Sequence, residues 1–264
     1  MEETSLTHAN EPRRSGPLKW SNSYLSLLRL AVGLLFILLI SLLWLLHRQE
    51  IDEQRTTLIA DVLWIEQSLR FHLDVNAEQL QQLAIDLPSA RQMRDMFDVR
   101  AQHILKNNPE IMQLLWLDAH SRTLRGLPTQ LPAHNEEESV DNRPQNRLLE
   151  LARLGKPIYS DSYVLDGEAR FEIYVPIFAG QRFQGALVAI YSLPNLLKQQ
   201  VPWWFAEKYQ VRIIDENGNT LASKSKVDAA PTSLNYSVPL DPPGYGELLQ
   251  VTAYRGSGNL AQTL

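Results

Sequence analysis

From Leu30 to Leu46 the chain reads LAVGLLFILLISLLWLL, 17 residues without a charge. Extended back to Tyr24, the stretch is 23 residues long and is interrupted only by Arg29. As a helix rising 1.5 Å per residue it measures roughly 34 Å, enough to cross a hydrocarbon layer of about 30 Å. A helix that is apolar all round has no polar face to offer water, which argues against a place in a soluble core. Arg29 can reach the headgroups at one end, and Trp44 suits the opposite interface. A cleaved leader would have a shorter apolar core and a small-residue cleavage site, whereas His47-Arg48-Gln49-Glu50 follows this run. The sequence therefore predicts an uncleaved transmembrane helix over 24–46.

The flanks orient that helix. Arg13, Arg14, Lys19 and Arg29 precede or enter it, while the fifteen residues after it hold Arg48 and Arg55 among Glu50, Asp52, Glu53 and Asp61. The excess of positive residues places 1–23 in the cytoplasm as a polar tail and 47–264 outside. The exterior part is 218 residues long with a net charge of -6. Nucleic-acid binding through bulk charge is excluded by this balance. The absence of cysteine excludes disulfides and Cys-ligated zinc or iron–sulfur centres. His103, His120 and His134 lack metal-ligand spacing, there is no glycine-rich phosphate loop, and no serine carries a His/Asp pattern, so neither a metal, a cofactor nor a catalytic site is expected.

Residues 47–87 contain neither Gly nor Pro and read as one long exterior helix. Ile51, Leu58, Val62, Ile65 and Leu69 recur at seam spacing, and Ile59, Leu63, Leu73, Leu80, Leu83 and Leu87 form a second stripe. One row can pack on the chain's own domain, and the seam can also pair two copies as a parallel homodimer. Residues 89–106 are amphipathic and helical, closing the helical segment 47–108. Short strands follow at Ile111–Leu117, Tyr159–Val164, Ala169–Phe178 and Phe183–Tyr191, with tight turns at Asp166-Gly167 and Ala179-Gly180. A Pro- and Glu-rich loop over 126–146 and a short helix over 147–154 interrupt them. Pro194–Tyr209 reads as helix, with Trp203, Trp204 and Phe205 as packing residues. Val211–Asp215, Thr220–Ser223, Leu234–Leu240 and Gly246–Tyr254 are the last strands.

The chain also repeats itself. Leu115-Trp116-Leu117-Asp118, with Ser121, Thr123 and Leu124, lines up with Arg212-Ile213-Ile214-Asp215, with Gly218, Thr220 and Leu221. Val175-Pro176-Ile177, with Gly185 and Leu187, lines up with Val238-Pro239-Leu240, with Gly246 and Leu248. The two matches occur in the same order, as two sheet units of one kind would produce.

This order of elements, a membrane helix, a long exterior helix and two Asp-turn-Thr-Leu hairpin units, resembles the double Cache (PAS-like) sensor domains of bacterial sensor histidine kinases and chemoreceptors. The hairpin from Val175 to Val188, leading to Leu193-Pro194-Asn195-Leu196-Leu197, carries the same resemblance, which covers roughly 47–255. It implies an α+β fold: an N-terminal transmembrane helix, a long exterior helix, and two tandem PAS-like antiparallel-sheet units. It divides the exterior into a membrane-distal unit over 109–193, a linker helix over 194–208 and a membrane-proximal unit over 209–256, in a bacterial inner membrane with 47–264 periplasmic. It implies that 257–264 begins a further C-terminal region, in which a kinase would lie. No kinase motif stands in the chain itself.

In such a sheet one face packs on the long helix and the other opens to a ligand. Alternation along 169–178 puts Phe171, Ile173, Val175 and Ile177 on a core face and Arg170, Glu172 and Tyr174 on the other. Tyr159, Asp161 and Tyr163 alternate in the same way, and Gly185, Ala186 and Ala189 leave room for a small molecule. Arg170 is the first candidate, because its guanidinium offers a fork for a carboxylate. Tyr174 and Tyr159 supply hydroxyls, Asp161 can hold an ammonium or hydroxyl, and Trp116 and Tyr191 are expected walls. The bland alternative is an exposed Arg170–Glu172 strand. The amino-acid-binding pattern of the resembled family is echoed only at Tyr159-Ser160-Asp161, leaving organic acids and amino acids equal. The function expected is small-molecule reception and transmembrane signalling, as the input part of a histidine kinase. The alternatives are a chemoreceptor or cyclase input, an anchored periplasmic interaction module without a ligand, and, least supported, an anchored enzyme.

Overall fold

A computed structural model describes residues 21–89, 93–128, 143–226, 234–240 and 246–254, with the side chains of 21–26, 28, 46–54 and 143–146 left aside. The tail up to residue 20, the acidic run 136–138 and the region 257–264 lie outside the described residues. The chain divides into two compact units, 1–54 and 55–264. In the first, the apolar run is helical, and Leu34, Phe36, Ile37, Ile40 and Leu43 all present their side chains at the surface. Among the described residues no helix is long and apolar enough to cross a membrane. The span expected over 24–46 includes side chains outside them.

Helix α1, Ser21–Asp86, extends into the second unit, followed by α2, Met93–Asn107. A first antiparallel sheet contains β1 (Ile111–Asp118), β2 (Thr123–Leu127), β3 (Ile158–Tyr159), β4 (Tyr163–Leu165), β5 (Glu168–Ala179) and β6 (Arg182–Ser192). Helix α3, Arg143–Leu154, stands between β2 and β3. The stretch expected as one helix over 194–209 is two, α4 (Leu193–Gln200) and α5 (Trp203–Lys208), separated at Val201-Pro202 because Pro202 cannot continue a hydrogen-bonded helix. A second sheet holds β7 (Tyr209–Ile214), β8 (Thr220–Lys224), β9 (Asn235–Pro239) and β10 (Leu248–Ala253).

The two sheets share one layout. The first runs β2-β1-β6-β5-β3 and the second β8-β7-β10-β9, so β1, β2, β6 and β5 correspond to β7, β8, β10 and β9. The turns of the sequence repeat are built alike. Asp118 Oδ1 accepts from the backbone N–H groups of His120 and Arg122, and Asp215 Oδ1 accepts from those of Asn217 and Asn219. Each turn passes through a positive φ, at Ser121 (64°) and Gly218 (81°).

Leu58, Val62, Ile65 and Leu69 are buried in a core that also contains Phe171, Ile173 and Val175 of the first sheet and Val211, Ile213 and Val251 of the second. The expected dimer seam is thus the intramolecular face of α1. Polar ties interrupt it at two heights. Tyr209 donates its hydroxyl to Asp61 at 2.6 Å. His72 Nε2 lies 2.5 Å from Oε1 of the fully buried Glu110, to which the Asn76 amide also donates at 3.0 Å. Phe205 is buried as expected, but Trp203 remains 72% exposed, and Trp204 lies 5.6 Å from the half-exposed ring of Trp64.

Gly185 does not make room for a ligand. At φ 141° it lets β6 approach β1 so closely that a Cβ would lie 2.0 Å from the Leu117 carbonyl oxygen. Gly185→Ala should therefore cost at least about 2 kcal/mol in urea unfolding.

Glu110 sets a pH dependence. Burial pushes its carboxyl up, but the bonds from His72, its own backbone and Asn76 outweigh that, and its pKa falls below the ordinary 4.5. A lowered folded-state pKa contributes stability above the unfolded value that is lost as pH falls through the folded one. Unfolding free energy should decline as pH drops below about 4.5, and Glu110→Gln should flatten part of that decline.

Candidate functional site

The face of β5 turned away from α1 is covered by α3. Leu148 and Leu151 of that helix pack with Tyr174, Ala186, Val188 and Ile190 in a second, smaller core. Arg147, one residue before Leu148, is thereby carried to the edge of the sheet. Its Nη1 donates to the Tyr159 carbonyl at 2.9 Å, its Nη2 lies 3.5 Å from the Asp161 carboxylate, and its guanidinium sits 5.9 Å from the centre of the Tyr174 ring.

On the same face Glu172 is buried, with Tyr163 donating to its Oε1 at 2.8 Å and Tyr174 to its Oε2. Burial first, and the Glu172 charge second, push both tyrosine hydroxyls far above their ordinary pKa, so both remain protonated donors. Arg170 completes the group. Its side chain is 13% exposed, 3.5 Å from Glu168 and 3.9 Å from Asp166, and its Nε is shut off from solvent without a hydrogen-bond partner. The exposed-strand alternative does not hold, because Glu172 is buried and the Arg170 side chain is only 13% exposed.

Of the expected residues, the structure brings together Arg170 and Tyr174, with Asp161 at the rim, its carboxylate 54% exposed. Trp116, Tyr159 and Tyr191 do not join them. The register pairs Tyr191 with Phe171, Tyr159 with Ile173, and Trp116 with Leu187, so all three lie on the α1 side. Tyr191 stacks on Phe171 at 4.8 Å and Trp116 approaches Phe97 at 5.9 Å. Tyr159 and Tyr163 fall on opposite faces because the chain leaves the ladder between them. Tyr159 pairs with Ile173 but Tyr163 pairs with Arg170, a slip of one residue that exchanges the faces. Ser160 stitches this break, accepting the Glu172 N–H on its Oγ at 2.8 Å.

Sequence reasoning missed Arg147 as a member of the site. Its only signal is its place beside the apolar pair Leu148 and Leu151 of an amphipathic helix. Nearby on the α3 side, Ala119, His120, Ser121, Leu148, Leu149, Ala152 and Phe183 line a half-open cleft of about 320 Å³. The loop of the site also reaches the second sheet, where the Ser162 N–H donates to Glu247 Oε1 at 3.1 Å.

No family model matches the chain. It is 33% identical over 224 residues to the C4-dicarboxylate transport sensor protein DctS of Rhodobacter capsulatus, a match covering 85% of this chain and 32% of that protein. The chain thus spans about a third of that relative's length. Among solved structures, it superposes on the sensor domain of the Vibrio cholerae histidine kinase DctB with a TM-score of 0.52 at 11% identity, covering 78% of this chain and 99% of that one. The chain has the fold of that sensor domain. Two further sensor domains superpose with TM-scores of 0.54: the ligand-binding domain of the Pseudomonas aeruginosa amino acid chemoreceptor PctC in complex with GABA, and that of the Pseudomonas fluorescens chemoreceptor CtaA in complex with L-serine. Their identities are 11% and 9%, and they cover 76% and 77% of this chain and 99% and 98% of their own.

The Glu172 carboxylate depends on the hydroxyls of Tyr163 and Tyr174. Tyr163→Phe and Tyr174→Phe should each destabilise by about 1–3 kcal/mol, since each leaves a buried charge with one bond fewer. The double variant should deviate from additivity in urea unfolding, because both hydroxyls serve one carboxylate.

Proposed function

We propose that the chain is the extracytoplasmic input part of a membrane sensor of the histidine-kinase type, binding a small carboxylate on the α3-covered face of the first sheet. The observation that carries this reading is the pair Arg147 and Arg170. Both guanidiniums are largely buried on one face, and their carboxylate neighbours stand no closer than 3.5 Å. Each keeps N–H donors for a fork-shaped acceptor. A C4-dicarboxylate is the first ligand class to test, given the similarity to a C4-dicarboxylate sensor.

A second class is favoured by Glu172. A fixed anion between two tyrosine hydroxyls suits a ligand that also carries an ammonium, as L-serine and GABA do in the chemoreceptor structures. Asp161 can serve the same end from the rim.

In this reading residues 24–46 anchor the domain in the inner membrane, with 1–23 cytoplasmic and the exterior unit periplasmic. A ligand engaging Arg147 displaces Asp161 and the loop 160–162, and the Ser162–Glu247 bond passes that movement to the second sheet and α1. The ligand can shift the balance of two arrangements only by its difference in affinity for them. The first sheet is then the membrane-distal unit and the second the proximal one. Pairing of two copies along α1 would use its outer side, since its inner row is occupied.

Isothermal titration of the full chain in nanodiscs with succinate, malate, L-serine and GABA tests the proposal. We expect saturable binding of at least one, with Arg147→Gln and Arg170→Gln each weakening it at least tenfold (~1.4 kcal/mol). No binding of any of the four, or binding unchanged in both variants, would leave the interaction module as the better reading.

A further inference from the structure

The second sheet repeats the first in having one face in the apolar core and one turned away from it. Val211, Ile213, Leu249 and Val251 occupy the core face. On the other, the register sets Ser223, Arg212, Gln250 and Ser237 side by side across all four strands, with Thr252 in the next row. Arg212 Nη2 donates to Gln250 Oε1 at 2.5 Å, and the Gln250 amide nitrogen lies 3.5 Å from Ser237 Oγ. Arg212 forms no ion pair among the described residues. Among the described residues its Nε and the Thr252 hydroxyl are both shut off from solvent without a hydrogen-bond partner, and Thr252 as a whole is 6% exposed.

A charged group with a donor removed from water and no anion beside it is costly, and native proteins resolve such groups with a ligand, an ion or an ordered water. Here the neighbours select among those. With its oxygen accepting from Arg212, Gln250 turns its amide N–H groups along the row, and Ser223, Ser237 and Thr252 add hydroxyls that can donate. This row holds no acid, in contrast to the first sheet, where Glu172 occupies the middle of the face. A positive, donor-rich surface that holds no fixed anion among the described residues is complementary to a small acceptor-only group with no ammonium to place. We propose that the outer face of the second sheet is a second binding site, for a small monocarboxylate anchored by Arg212, separate from the site at Arg147 and Arg170.

Sodium acetate is the probe, titrated calorimetrically against the full chain in nanodiscs at constant ionic strength with chloride as the reference. Wild type should show saturable acetate binding. Arg212→Gln should weaken it at least tenfold, and Thr252→Val, which keeps the side-chain shape and removes the buried hydroxyl, about threefold. In a background that already carries Arg147→Gln and Arg170→Gln, so that no acetate is held at the first sheet, a saturable phase that Arg212→Gln weakens should remain. That arm separates this proposal from the reading of the first sheet, which can fail without it. Absence of saturable acetate binding in wild type, or equal affinity in Arg212→Gln, would overturn the proposal and assign the buried donors to water. Should Arg212→Gln lose its cooperative thermal transition, Thr252→Val decides, and unchanged affinity there counts against the site.

Discussion

The inner row of α1 between Leu58 and Leu87 is the surface on which the unit 55–264 is assembled. Its apolar side chains share one core with strands of both sheets. Only the smaller core beneath α3, on the far face of the first sheet, is built without the helix. A shift of either sheet against α1 would expose close-packed apolar surface, so movement between well-packed arrangements is favoured over continuous drift.

Two polar contacts set the register of that packing. Asp61 holds Tyr209 at the second sheet, and His72 with Asn76 holds Glu110 at the first. Apolar packing alone is forgiving of a slide by one turn. A buried carboxylate is not, because sliding would leave the Glu110 charge without its partners. The helix is thus indexed separately against each sheet.

The duplicated layout carries unequal chemistry. Both sheets turn a polar face away from α1, and both place an arginine there with a donor withheld from solvent, Arg170 in the first and Arg212 in the second. The first face also holds Glu172 and is closed by α3, whereas the second has amides and hydroxyls around its arginine. One sheet plan thus carries two different polar linings, since side chains on a strand's outer face can differ without altering the backbone ladder.

Much of this was legible without coordinates. The alternation of Phe171, Ile173, Val175 and Ile177 against Arg170, Glu172 and Tyr174 sorts the faces of β5, because a strand's side-chain period of two is a local property of the backbone. The repeated Asp-turn-Thr-Leu hairpins announce two like units, because an Asx turn is stabilised within five residues. What local pattern does not contain is which neighbour a residue meets. Trp116 and Tyr191 fall on the α1 side because their faces follow from pairing with β6 and β5. Tyr159 and Tyr163 were parted by a one-residue slip written in no periodicity. Gly185 looked like space for a ligand and is space for a neighbouring backbone. Arg147 reached the site only because α3 folds across the sheet. The sequence alone determined the apolar helix, the order of the elements and the two-faced strands, since these rest on short-range backbone geometry and on burial. The tertiary structure alone decided which charged and aromatic side chains converge, since convergence depends on register and on a covering helix brought from a distant part of the chain.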